Sequence, residues 1–316
     1  LYRQIASYLS PAGERGLLSI LIYHRVLVAT DALFPHEVTQ ATFDMQMAHL
    51  KSVFNVLPLS EAVERLKCGT LPARAACITF DDGYADNATT ALPILQRHGL
   101  KATFFIATAY LDGGCMFNDM VIEAIRHYPG DKLDLTGLDL GAYDLTKFNS
   151  KADAINQILS KVKCLPVEVR EAKVASLCEI TQYGPVADGL MMSSEQIRQL
   201  SLADMEIGAH TAHHPILAQM DDAAVRQEIQ LGKRFLESLL AESIKVFAYP
   251  NGRPGIDYLP QQANIVRELG LVAAVSTRRG VASKQSDLFQ LPRFTPWQSN
   301  ISCFIPELLR NLRKRC

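Results

Sequence analysis

The chain predicts an α/β fold built on a parallel sheet or barrel, and three observations support this. Short apolar runs rich in Ile, Val and Phe recur along it, as strands buried on both faces require. Amphipathic segments of helical period separate several of these runs. The residues best suited to chemistry stand directly after two of the runs, where parallel α/β folds gather their active groups.

In chain order, the strand-like runs are residues 17–23, 75–80, 102–107, 205–209, 245–249 and 271–276. Between the first two, Phe43, Met47, Leu50 and Phe54 recur at helical spacing. Val225, Ile229, Leu236 and Leu239 do the same between the fourth and fifth. Ser193 followed by Gln196 predicts a capping box opening a helix over Ile197 and Leu200. Residues 112–192 break the rhythm, with helical segments expected at 121–128, 152–162 and 167–180. No Pro/Gly/Ser-rich linker isolates that stretch. The expected organisation is therefore one domain over residues 1–316 with a helical insertion at 112–192 that shapes the substrate surface. The chain has no internal repeat and no low-complexity tract.

Composition narrows the function classes. The chain has 316 residues, 48% hydrophobic and 21% charged, with a formal net charge of −1. No global field draws it to nucleic acid. The basic stretch 310–315 reads as a solvated helix end, with cations favoured by the helix dipole. No apolar run approaches the roughly 18–20 residues that span a bilayer, so no transmembrane segment is expected. Seven cysteines without a C-x-x-C pair argue for reduced thiols rather than a disulfide framework, and hence for a cytoplasmic setting. Cys77 lies within an apolar run and is expected to pack. No signal peptide is visible, but the chain does not begin with Met, and a removed upstream segment is the alternative. Nothing in it speaks to oligomeric state.

The chemistry concentrates in two segments. Thr79-Phe80-Asp81-Asp82-Gly83 ends the second run with two carboxylates and a glycine turn. His210-Thr211-Ala212-His213-His214-Pro215 follows the fourth. Adjacent residues at a strand end point in opposite directions, so one carboxylate can bind a metal while the other faces its water. His210 and His214 have the i, i+4 spacing that puts two side chains on one helical face, and His213 at i+3 is an alternative partner. Two imidazoles and a carboxylate suit Zn²⁺ or a similar divalent ion, with an open position for water. The pattern indicates a divalent-metal hydrolase. A Gly-x-Ser-x-Gly elbow, a Gly-x-Gly-x-x-Gly loop and a Walker A loop are all absent from the sequence.

These two segments, in this order, resemble those of the polysaccharide deacetylases, carbohydrate esterase family 4, over about residues 17–297. The resemblance implies a distorted (β/α) barrel that removes N-acetyl groups from an amino-sugar polymer or oligosaccharide. It assigns Asp81 as general base, and Asp82, His210 and His214 as ligands of the metal, for which the donor types favour Zn²⁺, leaving His213 outside the site. Metal-bound water, activated by Asp81, would attack the acetamide carbonyl.

The chain departs from the family pattern in three places. The family's Arg-Pro-Pro-Tyr-Gly element is replaced by Phe247-Ala248-Tyr249-Pro250-Asn251-Gly252. Ala248 stands where the Arg that orients the base would be, and Asn251 stands where a Tyr backbone N–H would serve the oxyanion. Tyr249 and Asn251 are expected at the substrate. Arg293, after a late strand-like segment, is the candidate replacement for the Arg; the alternative is a surface Arg. The family's late histidine, its usual general acid, is also missing. His24 in Tyr23-His24-Arg25 is the candidate substitute, the alternative being a structural histidine. This N-terminal element resembles that of the branch acting on poly-N-acetylglucosamine and other exopolysaccharides. Trp297, the single Trp, is read as lining a sugar or acetate pocket, with core packing as the alternative. Two other functions stay open: an O-acetyl esterase or small-molecule amidase on the same site, and a catalytically weak carbohydrate-binding protein.

Overall fold

Ten strands were found in the computed structural model of the protein, which describes residues 1–147, 149–184, 189–296 and 301–314. They are β1 (Leu18–Tyr23), β2 (Asn55–Val56), β3 (Ala75–Phe80), β4 (Thr103–Ile106), β5 (Lys132–Leu135), β6 (Gly141–Asp144), β7 (Glu206–Ala209), β8 (Val246–Ala248), β9 (Ala273–Arg279) and β10 (Leu291–Arg293). All but β5 and β6 belong to one sheet whose pairings are parallel, in the order β1-β3-β4-β7-β8-β9-β10, with β2 beside the start of β3. The sheet closes on itself just beyond β10. The N–H of Ile22 donates to the Phe294 carbonyl (3.0 Å) and that of Phe294 to the Ile20 carbonyl (2.8 Å). The result is the distorted (β/α) barrel.

Strand alternation divides the core into two layers. Leu18, Ile20, Cys77, Phe105, Val246, Ala248, Val275 and Leu291 pack together inside the barrel. Leu21, Ile78, Phe80, Phe104, Ile106 and Phe247 pack in the other layer, against apolar faces of the outer helices. Gly208 takes an interior position because Phe105 fills the space: a Cβ there would lie 2.5 Å from the Phe105 ring. Helix Leu59–Cys68 closes the lower end. The Glu206 carboxylate at the start of β7 accepts the N–H of Leu59 (2.8 Å) and of Ser60 (3.2 Å), satisfying two donors of the helix's first turn. The opposite end of the barrel is left free for the strand-end loops.

The stretch between β4 and β7 holds helices Phe117–His127, Ser150–Val162 and Val167–Ile180. They surround an apolar cluster of their own, including Val121, Ile125, Ile155, Ile158, Val174 and Leu177. The antiparallel hairpin β5–β6 adds Leu133 and Leu135 to it. The sequence reading expected only helices and loops here. The hairpin's signal is an alternation four residues long, Lys132 out, Leu133 in, Asp134 out and Leu135 in, too short to stand out. No helix among the described residues is long and apolar enough to cross a membrane.

Candidate active site

Three strand-end loops build the site, each with backbone in the left-handed region. After β3, the Gly83 N–H bonds the Asp81 carbonyl (3.0 Å) around Asp82, whose φ is 76°. After β8, the Gly252 N–H bonds the Pro250 carbonyl (2.6 Å) around Asn251, φ 59°. Both are three-residue turns of the rarer, strained kind. After β7, Thr211 (φ 63°) and His214 (φ 51°) bend the chain, and the His214 N–H donates to Thr211 Oγ1 (3.1 Å). Positive φ away from glycine costs energy and collects at functional sites. The i, i+4 histidines therefore share a site because of this bent loop; residues 210–214 form no helix, which corrects the helical-face expectation.

The loops bring Asp82, His210 and His214 together, with one donor atom from each within 4.8 Å of the others. Asp82 Oδ1 lies 3.3 Å from His210 Nε2 and 3.4 Å from His214 Nε2. The Ala248 carbonyl accepts from His210 Nδ1 (2.7 Å), which fixes the ring's orientation with Nε2 facing Asp82. His213 turns away to Glu228, with Nδ1 at 2.8 Å from Oε1, which removes it as an alternative partner.

The electrostatics suit a cation. Burial pushes the Asp82 pKa up, but His210 and His214 more than reverse this and hold it far below the usual carboxylate range. Burial pushes His214 down to about 4, keeping a neutral imidazole. Burial also opposes charge on His210, yet the two carboxylates raise its pKa overall. Two imidazole nitrogens and a carboxylate, with one ring held by a backbone carbonyl, form a donor set that fits a divalent metal.

Asp81 has a different partner. Arg293 reaches across the barrel from β10 and grips it with two parallel bonds, Nη1 to Oδ1 and Nη2 to Oδ2, each 2.7 Å. The guanidinium also donates to Thr79 Oγ1 (3.2 Å) and to the Ser276 carbonyl (2.9 Å), and it stands 5.9 Å from the centre of the Phe105 ring. Arg293 is 1% exposed, so the surface alternative does not hold. Burial raises the Asp81 pKa, and the charge and hydrogen bonds of Arg293 bring it below the ordinary value.

His24 follows β1 and lines the same cleft, of about 430 Å³, with Asp81, Asp82, His210, His214 and Asn251. Its loop is tied to the segment after β3. Asn87 Nδ2 donates to the His24 carbonyl (2.8 Å), and the Asp86 carboxylate accepts from the Val26 N–H (3.0 Å) and Arg25 Nε (2.8 Å).

Tyr249 requires a correction, since it does not line the cleft. It is fully buried in the outer layer, stacked on Tyr258 at 3.7 Å, with its hydroxyl donating to the Phe289 carbonyl (2.9 Å). Ala248 points inward, so strand alternation turns Tyr249 outward. Trp297 lies outside the described residues.

The sequence reading expected the insertion to shape the substrate surface but named none of the residues with which it lines the cleft. Phe117, Asp119, Ile122 and Arg126 of helix Phe117–His127 line it, and so does Tyr84, whose hydroxyl contacts Asp119. Asp119 and Tyr84 carry no distinctive spacing. Their only signal is that Tyr84 directly follows the Asp-Asp-Gly turn.

Comparison with known proteins bears on the fold and the family. A Bacillus subtilis (strain 168) protein, "Putative polysaccharide deacetylase YxkH", is 21% identical over 277 residues, covering 87% of this chain and 70% of its own. The solved Streptococcus pyogenes deacetylase PplD, in complex with acetate, aligns with a TM-score of 0.63 at 20% identity, covering 94% of this chain and 98% of its own. IcaB from Ammonifex degensii aligns with a TM-score of 0.60 at 18% identity, covering 96% and 98%. At these identities the structural likeness speaks to the fold alone. The family profile described as "Polysaccharide deacetylase" matches residues 69–132 and 144–274, more than half of the chain. The chain belongs to the polysaccharide deacetylase family.

Proposed function

We propose that the protein is a metal-dependent hydrolase that removes N-acetyl groups from an amino-sugar polysaccharide or oligosaccharide. One observation carries this reading. A carboxylate facing two imidazole nitrogens stands next to a second carboxylate that an arginine holds ionised, in one cleft. Asp82, His210 and His214 would hold the metal, and the donor set favours Zn²⁺. A divalent ion there would make a water more acidic and polarise the acetyl carbonyl.

The chain's own residues do the rest. Asp81 takes the proton from the attacking water, and Arg293 keeps its carboxylate ionised and aimed. The water oxygen adds to the acetyl carbon, moving charge onto the carbonyl oxygen, and the C–N bond breaks as the carbonyl re-forms. His24 donates a proton to the departing nitrogen, leaving acetate and a free amine. The backbone N–H of Asn251 is the candidate donor to the carbonyl oxygen as it gains charge. The Tyr23-His24 element supports a substrate of the poly-N-acetylglucosamine type.

The test is acetate release by metal-free and metal-reconstituted protein. The substrates are chitin-type oligomers, β-1,6-linked N-acetylglucosamine oligomers and O-acetylated sugars. Metal-dependent release from the N-acetylated oligomers is expected. Metal uptake without release from any of them would overturn the reading in favour of a carbohydrate-binding protein. Release from acetylated hydroxyls alone would make the protein an O-acetyl esterase.

A further inference from the structure

Asp119 is a buried carboxyl in the cleft that the proposed reaction leaves without a task. It is 4% exposed and comes from the first turn of helix Phe117–His127, on the inserted side. The Tyr84 hydroxyl lies 3.1 Å from both of its oxygens. One O–H satisfies one acceptor position, whereas a carboxylate offers about four. Arg25 does not take up the rest. Its guanidinium pairs with Asp86 and stands over the Tyr84 ring, 4.9 Å from the centre.

The groups acting on Asp119 are Asp82, Tyr84 and Arg25 from the barrel loops, Glu123 from its own helix, and Cys115 just before that helix. Burial first, then the charge of Asp82, raise its pKa to about 7; a carboxyl accepts a hydrogen bond in either protonation state. Around it the wall mixes apolar groups, Met116, Phe117 and Ile122, with the polar Asn118, Glu123 and Arg126. A buried carboxyl with hydrogen-bonding capacity to spare, in a wall of mixed apolar and polar groups, calls for a ligand that brings hydroxyls beside apolar faces. A sugar ring has that character. Tyr84 is two residues from Asp82, at most about 7 Å along the backbone, so Asp119's partner and the metal-holding carboxylate serve the same part of the cleft.

We propose that Asp119, steadied by Tyr84, is a substrate-binding residue that hydrogen-bonds a ring hydroxyl of the amino sugar whose acetamide is cleaved. This assignment rests on the deacetylase reading above and names the wall that recognises the sugar.

The experiment compares wild type, Asp119→Ala, Asp119→Asn and Tyr84→Phe on N-acetylglucosamine oligomers and on analogues lacking single ring hydroxyls. Asp119→Ala is expected to raise KM about 10–100-fold, the scale of a hydrogen bond to a charged group, with a smaller change in kcat. Asp119→Asn, which keeps shape and some bonding capacity, and Tyr84→Phe should show smaller increases. One deoxy analogue should lose that same factor with wild type and lose little more with Asp119→Ala, the signature of a direct pair. Unchanged KM in Asp119→Ala, or equal discrimination among the analogues by wild type and variant, would overturn the proposal. Loss of metal or of folding in Asp119→Asn and Tyr84→Phe would also overturn it and make the pair structural. If wild type releases no acetate, the deacetylase reading fails by itself. Calorimetric binding of the intact oligomers then decides about Asp119: weaker binding by Asp119→Ala upholds the contact, and equal binding overturns it.

Discussion

The barrel mouth and the inserted wall meet at one cleft but are built differently. At the mouth, Asp81 and His210 follow β3 and β7 and Arg293 ends β10, and inter-strand register sets their relative positions. The wall hangs on helices with a separate apolar cluster and reaches the cleft through Phe117, Asp119, Ile122 and Arg126. Its ties to the mouth are the backbone bonds where the insertion ends, from the Met192 N–H to the Gly83 carbonyl and from the Ala85 N–H to the Leu190 carbonyl (each 2.9 Å), the Tyr84–Asp119 bond, and the two bonds from Arg126 to Asp31 in the loop after β1 (2.9 and 2.6 Å). The base, its arginine and His210 thus sit at the ends of sheet strands. Recognition groups sit on an element that can vary without moving the register.

The largest expected effect separates the two regions most sharply. His214→Ala or Asp82→Ala should abolish stoichiometric metal binding. Turnover should fall by more than the roughly 10²–10⁴-fold that a general base contributes. Metal analysis beside acetate release checks this, and full metal content in either variant would disconnect these residues from the ion. Asp81→Asn comes next. It should keep the metal and lose about 10²–10⁴-fold in kcat, so near-normal turnover would remove Asp81 from the mechanism.

Arg293→Met tests whether the mouth is one electrostatic unit. It strands a buried carboxylate, which costs about 3–5 kcal/mol by denaturant titration. In the native protein the Asp81 pKa lies below its unfolded value of about 3.9. Its contribution to stability is therefore present above that value and lost as pH falls through the folded pKa. Without Arg293, burial dominates, the pKa rises, and the acid limb of kcat/KM should move to higher pH. An unmoved limb would show that Arg293 does not tune the base.

A smaller effect concerns metal affinity and pH. The His210 pKa is raised, and the ring must give up its Nε2 proton to a metal. Affinity should therefore fall on acidification from about pH 8 to about pH 5, measured by competition with a chelator of known affinity. His214, pushed down to about 4, should add little to that slope.

The smallest expected effect probes the wall. Ile158→Ala removes a fully buried side chain from the insertion's cluster and should cost about 2–5 kcal/mol there. KM for oligomers should rise, with metal content unchanged. If the metal is lost too, the regions unfold as one and the contrast between them fails.

Much of this was legible in the chain because it is local. The expected runs match β1, β3, β4, β7, β8 and β9 to within a few residues, since apolar continuity is written into consecutive side chains. The Ser193–Gln196 capping box forms as read, because three residues suffice to specify it. Asp81, Asp82, His210 and His214 were legible from residue type and place at strand ends. The misplaced Tyr249 was also decidable in principle, because alternation from an inward Ala248 turns it away from the cleft.

The tertiary structure alone decided how distant groups pair. Arg293 and Asp81 are separated by 212 positions, and only barrel closure brings that guanidinium, rather than another, onto the base. The turns at Asp82, Thr211, His214 and Asn251 lie outside helix and strand periodicity, and they select His214 over His213. Asp119 reads in the sequence as an ordinary charge near a helix start; its burial against Tyr84 depends on how the insertion docks. Local propensity and period two specify strands and the order of motifs. Long-range packing sets which side chains share a desolvated cleft, and hence how their charges act on one another.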